Sequence, residues 1–490
     1  MPSERIKVPT KLAYGVGQAA EAIKNNTFEL FLFFYYTQVL GLAGTLAGLA
    51  LFIALCIDGI TDPVIGSLSD GWRSRWGRRH PFMYVSAIPL AVCFYLLFLP
   101  PADLGNAGLF AWLACFAVLV RFCMTLYQVP HLALGAELSD DYEERSSLVG
   151  YRTAFGLLGS AALVIVGFSF FFNATPAFAN GQLNPAAYPE FALLFAGVMW
   201  AAIWLSAAGT HRMIPHLPAP ADGLPAFRGS RVVRELRAVL SNRAFLTLFL
   251  SMLAFFMMRG VQTTLGLHAT TFFWQLTPQE IQLVTLAIVA GLLAGIPFAK
   301  PLCHRFDKKW IFIGGALWAL LFHVGPVMLR LYGWLPGNSD PALLLILVLA
   351  SILGGMGAVQ PLVAAGSMVA DISDAHELAT GMRQEGMFFG GMAFAGKAAS
   401  GLGHSLAGIF IDLIDFPVHV APGAVSIDVL HQLAWLYGPG VGLIGLIAVG
   451  IFARYDLTRA HIHEVQNLLN RPDRRKGLHS ARFTGTKSKV

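Results

Sequence analysis

Twelve apolar stretches constrain this chain of 490 residues more than any other feature of its sequence. A helix needs about 20 predominantly apolar residues to cross the hydrocarbon core of a bilayer. The stretches lie near 17–40, 44–68, 81–100, 107–134, 149–172, 188–209, 244–274, 281–302, 310–331, 341–369, 384–412 and 429–453. Only 13% of the residues are charged, about half the fraction that is usual in soluble domains. We therefore predict an all-α polytopic membrane protein with twelve transmembrane helices.

Lysine and arginine residues mark one side of the predicted membrane protein. They precede the first stretch and follow the second, fourth, sixth, eighth and twelfth stretches. The opposite connections, near 41–43, 101–106, 173–187, 275–280, 332–340 and 413–428, contain neither residue. Because cytoplasmic loops carry the excess of Lys and Arg, we expect both termini to be cytoplasmic. The expected location is the plasma membrane, as a multi-pass protein of the bacterial inner membrane.

The chain repeats part of its own sequence. The loops GSLSDGWRSRWGRR and GIPFAKPLCHRFDKK start at Gly66 and Gly295, and their basic pairs are 230 positions apart. Asp140 and Asp374, in SDD and SDA, are 234 positions apart. These offsets predict two pseudo-symmetric six-helix bundles, the plan of the major facilitator fold, whose sites lie between the halves. The predicted parts are 1–210, a cytoplasmic linker 211–243, 244–455, and a basic cytoplasmic tail 456–490.

The basic loop after the second stretch is a candidate conformational latch. Gly66 would permit close contact between two helices at the cytoplasmic end. Asp70 can form charge-assisted contacts between helix ends with Arg78 and Arg79. The alternative is that these arginines only enforce the orientation of the chain, and the two roles are compatible.

Two aspartates, Asp58 and Asp62, stand near the end of the second stretch in IDGITDPVIG. Residues four apart on a helix lie on one face, one turn from each other. A carboxylate inside a bilayer costs several kcal/mol unless something pairs with it. Two of them offer hard oxygen ligands to a small cation, for which a proton could substitute. The alternative is that Asp62 only caps or pairs at a helix end beside Pro63.

The first stretch carries the polar run EAIKNNTFE. Glu21 and Lys24 are three apart and can share a helix face, with Asn25 beside them. A helix that faces only lipid would not keep this cluster, so we interpret it as the lining of an internal cavity. The alternative is a self-satisfied ion pair buried between helices. Other spans contribute the further cavity candidates Gln128, Arg152, Arg259 and Gln262, whereas Arg121 is assigned to packing or an interface.

Several segments of the chain resemble one family of transporters. The segments are KLAYGVGQ, IDGITDPVIG, SRWGRRHPF, VPHLALGAELSDDYEER and MVADISDAHE, between about residues 11 and 415. Together they resemble the glycoside–pentoside–hexuronide:cation symporters of the major facilitator superfamily, whose best-known members are the melibiose permeases. The animal sodium-dependent lysophosphatidylcholine symporters share the same elements.

The resemblance implies a cation site on the second and fourth helices. Asp58, Asp62 and Thr125 match the cation-site positions of the family. Lys397, in AFAGKAASG, matches an eleventh-helix lysine and would be the counter-ion of Asp58. The alternative for Lys397 is a side chain that snorkels to the nearer interface. Arg152 matches an arginine that the family associates with substrate binding.

The chain departs from the melibiose permeases at their sugar-binding positions. Where the permeases carry aspartates on the first and fourth helices, this chain has Ala22 and Gln128, and the tryptophan that stacks on sugar is replaced by Leu132. These departures argue against a galactoside substrate and leave the cation residues intact. Lys24 and Arg152 favour a substrate with an anionic or strongly hydrogen-bonding group.

The sequence thus predicts secondary active symport, by alternating access, of a sugar-like or related organic solute with Na+ or H+. The alternative substrate is a lysophospholipid. A third possibility is a non-transporting membrane receptor or an enzyme, for which no nucleophile, metal-ligand or phosphate-loop pattern is present. We expect no cofactor beyond the coupling ion, no nucleic-acid partner, and a monomer in the lipid bilayer.

The predicted orientation can be tested with reporter fusions. A reporter that is active only in the cytoplasm is expected to be active when fused to the C-terminus, because the basic connections stay inside. A fusion in the connection 332–340 is the control on the opposite side. Activity of a periplasmic reporter at the C-terminus would contradict the prediction.

Overall fold

The structure, a computed structural model, describes residues 6–217, 242–380 and 385–469 of the chain. Most of the predicted linker 211–243 and tail 456–490 therefore lies outside the described residues. Twelve long helices and one short C-terminal helix are described. They are α1 Val8–Thr27, α2 Gly44–Gly71, α3 His80–Leu97, α4 Asn106–Glu137, α5 Tyr142–Val166, α6 Ala187–Thr210, α7 Arg243–His268, α8 Pro278–Arg305, α9 Lys308–Leu331, α10 Pro341–Thr380, α11 Glu385–Leu413, α12 Ile427–Phe452 and α13 Arg459–Leu469.

Ten of the described helices are long and apolar enough to cross a membrane by length and composition. The two long helices that fall outside this set are α1 and α11. Polar residues interrupt α1, which continues as a helix through the π-helical segments Phe28–Leu32 and Tyr35–Val39, whereas α11 is rich in glycine and alanine and contains Lys397. Their polarity is explained by the cavity that both helices line, described below.

The six helices of each half pack in the same pattern. In the first half α1 contacts α5 and α6, α3 contacts α4 and α6, and α2 contacts α4. In the second half α7 contacts α11 and α12, α9 contacts α10 and α12, and α8 contacts α10. Between the halves, α2 packs against α11 and α5 against α8, which are equivalent pairs under the same repeat. The predicted fold class, two pseudo-symmetric six-helix bundles, is confirmed.

Several helices extend beyond the apolar stretches that predicted them. The tenth stretch was expected to end near residue 369, but α10 continues to Thr380. Its polar extension is held by an ion pair of 2.5 Å between Lys308 Nζ and the buried carboxylate of Asp371. At the start of α5, the Asp141 side chain accepts a hydrogen bond of 2.9 Å from the Glu144 backbone N–H, a helix cap that the acidic run supplies.

The candidate latch residues lie together inside the first half. The Arg79 guanidinium contacts Asp70 at 2.5 Å and Glu137 of α4 at 2.7 Å, and Arg78 contacts Glu137 at 2.9 Å. These ion pairs brace α2, α3 and α4 of one half, since all of their members belong to it. A Cβ added at Gly66 would meet only a Val129 methyl at 3.6 Å. The close helix contact expected at Gly66 is therefore absent from this conformation.

The matched loop of the second half makes the corresponding contact. Lys308 pairs with Asp371, as the arginines of the first half pair with Glu137. Glu137 and Asp371 are 234 positions apart, the same offset as the acidic pair noted in the sequence. The repeat thus preserves an ion pair between the basic pair that precedes or begins the third helix and an acidic residue in the C-terminal part of the fourth helix of each half.

Hydrogen bonds between the halves gather at one end of the molecule. We call it the closed end; it carries the α1–α2, α5–α6, α7–α8 and α11–α12 connections. The contacts there include Thr37–His268 at 3.3 Å, Ser169–Gln282 at 2.9 Å, Asn173–Gln279 at 2.8 Å, Gln182–Thr271 at 3.0 Å and Ser405–Gly48 at 3.2 Å. The end that carries α13 and the start of α1 is called the open end.

The start of α2 and the end of α11 approach each other at the closed end more closely than side chains allow. A Cβ at Gly44 would lie 2.6 Å from the Gly408 carbonyl oxygen, and a Cβ at Gly48 would lie 2.5 Å from the His404 carbonyl oxygen. The Asp412 carboxylate accepts hydrogen bonds from the backbone N–H groups of Gly44 at 2.7 Å and Thr45 at 2.8 Å. Asp412, which belongs to the other half, therefore caps the N-terminus of α2, and a helix N-terminus favours negative charge.

Replacing Asp412 with alanine is expected to loosen the closed end. The two backbone N–H groups lose their acceptors, and loss of a helix cap costs about 1 kcal/mol. We expect hydrogen–deuterium exchange over residues 40–50 to accelerate about fivefold. Asp428→Ala, which alters an exposed aspartate near the same end, is the control. Equal exchange in both variants would contradict the capping role.

Candidate functional site

A cavity of about 440 Å³ lies between the two halves. Five helices line it. Four of them do so through residues spaced three or four apart, which places those residues on one face of the helix, and α7 contributes one residue. The lining side chains are Glu21, Lys24, Asn25, Phe28 and Glu29 near α1; Leu55, Asp58 and Asp62 of α2; Arg121, Met124, Thr125, Gln128, Val129 and Leu132 of α4; Phe256 of α7; and Lys397, Ser400 and His404 of α11, beside Gly396. Both halves thus contribute to one polar chamber.

Exposure along two lining helices shows where the cavity opens. On α2 the Asp58 side chain is 8% exposed, and Asp62, one turn further, is 34% exposed. On α4 exposure rises from 2% at Thr125 to 40% at Leu132. Since α2 and α4 both run towards the open end, the chamber is accessible from that end, while the closed end seals it from the other side.

The two aspartates and Thr125 converge as the resemblance implied. The Thr125 Oγ1 lies 2.9 Å from Asp58 Oδ1 and 2.9 Å from Asp62 Oδ1. A hydroxyl has a single hydrogen to donate, so it can satisfy one of these carboxylate oxygens at a time. Three oxygens close together, with one hydrogen among them, form a cluster that a small cation or an additional proton would stabilise.

Lys397 reaches this oxygen cluster from the second half. Its Nζ lies 2.9 Å from Asp58 Oδ2 and also contacts Asp62 Oδ2. The lysine therefore bridges both carboxylates, whereas the sequence led us to expect only Asp58 as its partner. The ion pairs join α2 to α11, so the charge balance of the cluster depends on the relative position of the halves.

Arg121 also belongs to the cluster, in contrast to its assignment to packing or an interface. Its Nη1 lies 3.4 Å from Asp58 Oδ2, and its Cζ lies 4.9 Å from the centre of the Phe28 ring. The residue is 7% exposed. A signal was present in the sequence, since Arg121 precedes Thr125 by one helical turn and must share its face.

Glu21, Lys24 and Asn25 of the polar run line the cavity, but their hydrogen-bond partners differ from the expected Glu21–Lys24 pair. The Gln18 amide donates to Glu21 Oε2 at 2.7 Å, and Lys24 Nζ donates to Asn25 Oδ1 at 2.6 Å. The Gln128 amide donates to Gln18 Oε1 at 3.2 Å. Among the described residues, Lys24 makes no ion pair within 4 Å, so it is a buried cation that faces the chamber. The self-satisfied Glu21–Lys24 pair is not formed.

Three candidates from the sequence lie outside the cavity lining. Arg152 of α5 lies beside Tyr14. Arg259 donates to Gln262 Oε1 at 3.4 Å, and the Gln262 amide contacts His323 Nδ1 at 2.9 Å. His323 in turn contacts the Tyr437 carbonyl oxygen at 2.8 Å. These contacts turn the α7 residues towards α9 and α12, a direction that helical spacing alone does not specify.

The cavity also contains residues that the sequence did not single out. His404 lies two turns after Lys397 on the same face of α11, and its Nδ1 lies 2.5 Å from the Thr264 hydroxyl oxygen. Phe28 and Phe256 form apolar walls from opposite halves. The spacing of His404 from Lys397 was a usable signal; the two phenylalanines resemble the many other aromatic residues of the chain.

Replacing Lys397 with methionine is expected to destabilise the protein in Na+-free buffer. The variant leaves two adjacent carboxylates with one cationic partner instead of two. Removing one member of a buried ion pair costs about 3–5 kcal/mol, and we expect about 1–3 kcal/mol here because the lysine side chain is 30% exposed. Thermal unfolding with and without Na+ measures this, and Na+ should restore part of the loss. Lys300→Met, at an exposed lysine, should have no such Na+-dependent effect; an equal response of both variants would refute the bridge.

Comparison with known proteins agrees with this architecture. Residues 13–459 match the family model described as MFS/sugar transport protein. An uncharacterized symporter of Synechocystis sp. is 27% identical, covering 94% of this chain and 96% of its own length. The sodium-dependent lysophosphatidylcholine symporter 1-A of Danio rerio is 24% identical over 92% of this chain and 86% of its own. The isoprimeverose transporter of Lactiplantibacillus pentosus is 23% identical, with coverages of 90% and 87%.

Solved structures show the same fold. The crystal structure of the nucleoside transporter NupG aligns with a TM-score of 0.60 at 12% identity, covering 92% of this chain and 99% of that structure. The resemblance found in the sequence is confirmed by the family match and the named symporters. Because the family model covers most of the chain, this multi-pass membrane protein belongs to the MFS/sugar transport family, and it is a transporter rather than an enzyme.

Proposed function

We propose that the protein is a secondary active symporter that couples inward movement of Na+ to uptake of a polar organic solute. The observation that carries the proposal is the oxygen cluster of Asp58, Asp62 and Thr125, bridged by Lys397 from the opposite half. A pair of carboxylates inside a membrane carries a high free-energy cost unless positive charge balances it. If Na+ takes the place of Lys397 at the pair, ion binding changes the contact between the halves.

The coupling step follows from charge balance. Lys397 and a bound Na+ are alternative occupants of the carboxylate oxygens, since both would place positive charge at the same atoms. Na+ binding would release Lys397 and with it the tie between α2 and α11. An inward-negative potential of 100 mV contributes about 2.3 kcal/mol for each charge that moves inward. That free energy can drive accumulation of the solute.

Na+ is favoured as the coupling ion by the chemistry of the ligands. Carboxylate and hydroxyl oxygens are the hard donors that such cations prefer. One relative, which aligns over 92% of this chain and 86% of its own length, is named a sodium-dependent symporter. A proton bound by one carboxylate is the alternative, because it would neutralise the pair in the same way.

The solute is proposed to bind in the chamber beside the cation cluster. Lys24, Asn25 and Gln128 supply donors and acceptors, and Phe28 and Phe256 supply apolar surfaces, a combination suited to a sugar or a related hydroxylated solute. The surplus cation Lys24 favours an anionic or strongly hydrogen-bonding group on it. Arg152 has no place in this binding site in the present conformation.

A lysophospholipid is the second candidate solute. Val129 and Leu132 of α4 extend the apolar side of the chamber towards the open end, where an acyl chain could lie while a phosphate meets Lys24. The relative from Danio rerio named for lysophosphatidylcholine supports this candidate. Free sugars and lysolipids should therefore be compared in the same assay.

The proposed setting is a bacterial inner membrane with both termini cytoplasmic. In that orientation the open end faces the cytoplasm, and the closed end seals the chamber from outside. Alternating access would then require the closed end to part and the open end to close. One chain contains all the residues of the proposed site, so a monomer is sufficient for transport.

Transport by purified protein in liposomes tests the proposal. With an inward Na+ gradient and an inward-negative potential, we expect accumulation of a radiolabelled glycoside or glucuronate. Asp58→Asn should abolish gradient-driven accumulation, because the substitution removes charge and retains size. Exchange of internal for external labelled solute without a gradient should persist in this variant, since exchange requires no net coupling.

Asp103→Asn, at an exposed aspartate of the α3–α4 connection, is the matched control and should accumulate solute normally. Full Na+-driven accumulation by Asp58→Asn would contradict the coupling role of the cluster. Inhibition by lysophosphatidylcholine with no effect of sugars or uronides would favour the second solute. Accumulation that depends on a pH gradient and is independent of Na+ would show that the coupling ion is H+ and not Na+.

A further inference from the structure

Glu29 is a chamber residue that the proposed function leaves without a role. It belongs to the π-helical segment Phe28–Leu32, which continues the first helix towards the closed end. Its side chain lines the chamber and is exposed there. Within the part of the chain that the structure describes, the carboxylate makes no hydrogen bond and no ion pair. Short π-helical segments inside α-helices are frequent at functional sites.

The ionisable side chains that line the chamber carry one surplus negative charge, with histidine counted as neutral. The carboxylates outnumber the cations by one. The carboxylates are Glu21, Glu29, Asp58 and Asp62, and the cations are Lys24, Arg121 and Lys397. The chamber as a whole therefore favours a solute that brings positive charge.

The other carboxylates of the lining already have donors. Lys397 contacts both aspartates of the oxygen cluster, and the Gln18 amide donates to Glu21 Oε2 at 2.7 Å. Their acceptor oxygens are at least partly occupied within the protein itself. The oxygens of Glu29 are the lining acceptors that stay open to a bound molecule.

Arg121 only partly offsets the charge of Glu29. The arginine is attracted electrostatically by Asp58 and by Glu29. Its Nη1 lies 3.4 Å from Asp58 Oδ2, and its Cζ lies 4.9 Å from the centre of the Phe28 ring. One guanidinium shared between two carboxylates cannot neutralise both, so negative charge remains at Glu29.

The chemistry around Glu29 selects the group that could bind there. A carboxylate supplies only acceptor oxygens, so its partner must donate hydrogen bonds, and the surplus charge favours a cationic donor. Phe28 and Phe256 add aromatic surface from the two halves, and the faces of aromatic rings attract cations. A protonated amino group meets both conditions. Lys24, nearer the open end, is left to meet a hydroxyl or an anionic group of the same solute.

We infer that Glu29 is a specificity-determining residue that binds a protonated amino group of the transported solute. The inference rests on the proposed function, in which a sugar or a related hydroxylated solute binds in the chamber. It narrows that class to amino sugars and related hydroxylated amines.

Three matched glycosides test the inference. They are methyl glucoside, methyl glucuronide and the glucoside whose primary hydroxyl is replaced by an amino group, so that one carbon carries a neutral, an anionic or a cationic group. Affinity for the purified full-length chain is measured from the ligand-dependent shift in thermal unfolding, at constant ionic strength and constant Na+. We expect the amino glycoside to bind about tenfold more tightly than the neutral one, because charge-assisted hydrogen bonds are stronger than neutral ones.

Variants of Glu29 assign this preference to its charge. Glu29→Gln retains the size and removes the charge, so it should bind the amino and neutral glycosides equally. Glu29→Asp retains the charge and should keep most of the preference. Glu190→Gln, at an exposed glutamate in the first turn of α6, is the matched control and should keep all of it. A merely structural role of Glu29 would change all three affinities together and leave their ratio unaltered.

The outcomes separate the inference from the proposed function. Equal or weaker binding of the amino glycoside, while another glycoside binds, would overturn the role of Glu29 and leave the proposed binding site intact. A preference that persists in Glu29→Gln would overturn it as well. If that variant does not purify as folded protein, Glu29→Ala takes its place, since the side chain is exposed in the chamber. Failure of all three glycosides to bind would overturn the sugar-like solute and the inference with it. A preference lost in Glu29→Gln and kept in Glu190→Gln would support both.

Discussion

The contact of Lys397 with Asp58 and Asp62 is the interaction on which the rest of the structure depends. It joins the two halves at the chamber between them and balances charges that a membrane protein cannot leave unpaired at low cost. The lysine side chain enters from α11 and the carboxylates from α2, two helices that pack directly against each other. Any movement that separates these helices changes the electrostatic energy of the site, so ion chemistry and conformation are linked by the same atoms.

The closed end complements this link with many weaker contacts. Glycines at the start of α2 allow its backbone to meet that of α11, and Asp412 caps α2 across the boundary between the halves. Neutral hydrogen bonds contribute about 1 kcal/mol each, so each of these neutral contacts is individually weaker than a buried ion pair. The basic loops play a different part in this conformation, since their ion pairs stabilise each half internally.

Part of the site was predictable because the spacing of residues along a helix fixes which side chains lie on the same face. Asp58 and Asp62 are one turn apart on one helix, and the family resemblance added Thr125 and Lys397; all four meet in the structure. Arg121 was missed as a partner of Asp58, although its spacing from Thr125 placed it on the same face. Spacing identifies which residues share a face of one helix, but it does not identify the face of another helix that lies opposite. Arg259 and Gln262 were assigned to the cavity without knowledge of that opposite face, and Arg152 also because of the family resemblance; all three lie outside the cavity lining.

The sequence by itself determined the membrane class, the number of long helices and the two-fold repeat, because backbone hydrogen bonds in a bilayer must be satisfied within helices and the apolar stretches have to match its thickness. It also indicated, through the run EAIKNNTFE, that the first helix is unusually polar for a membrane helix. Only the tertiary structure decided which charges meet: Lys397 bridges two carboxylates, Arg121 joins them, and Lys24 remains a cation without an ion pair among the described residues. Those pairings depend on the rotation of each helix about its axis and on the relative position of the halves, and both are set by packing between segments hundreds of residues apart in the chain.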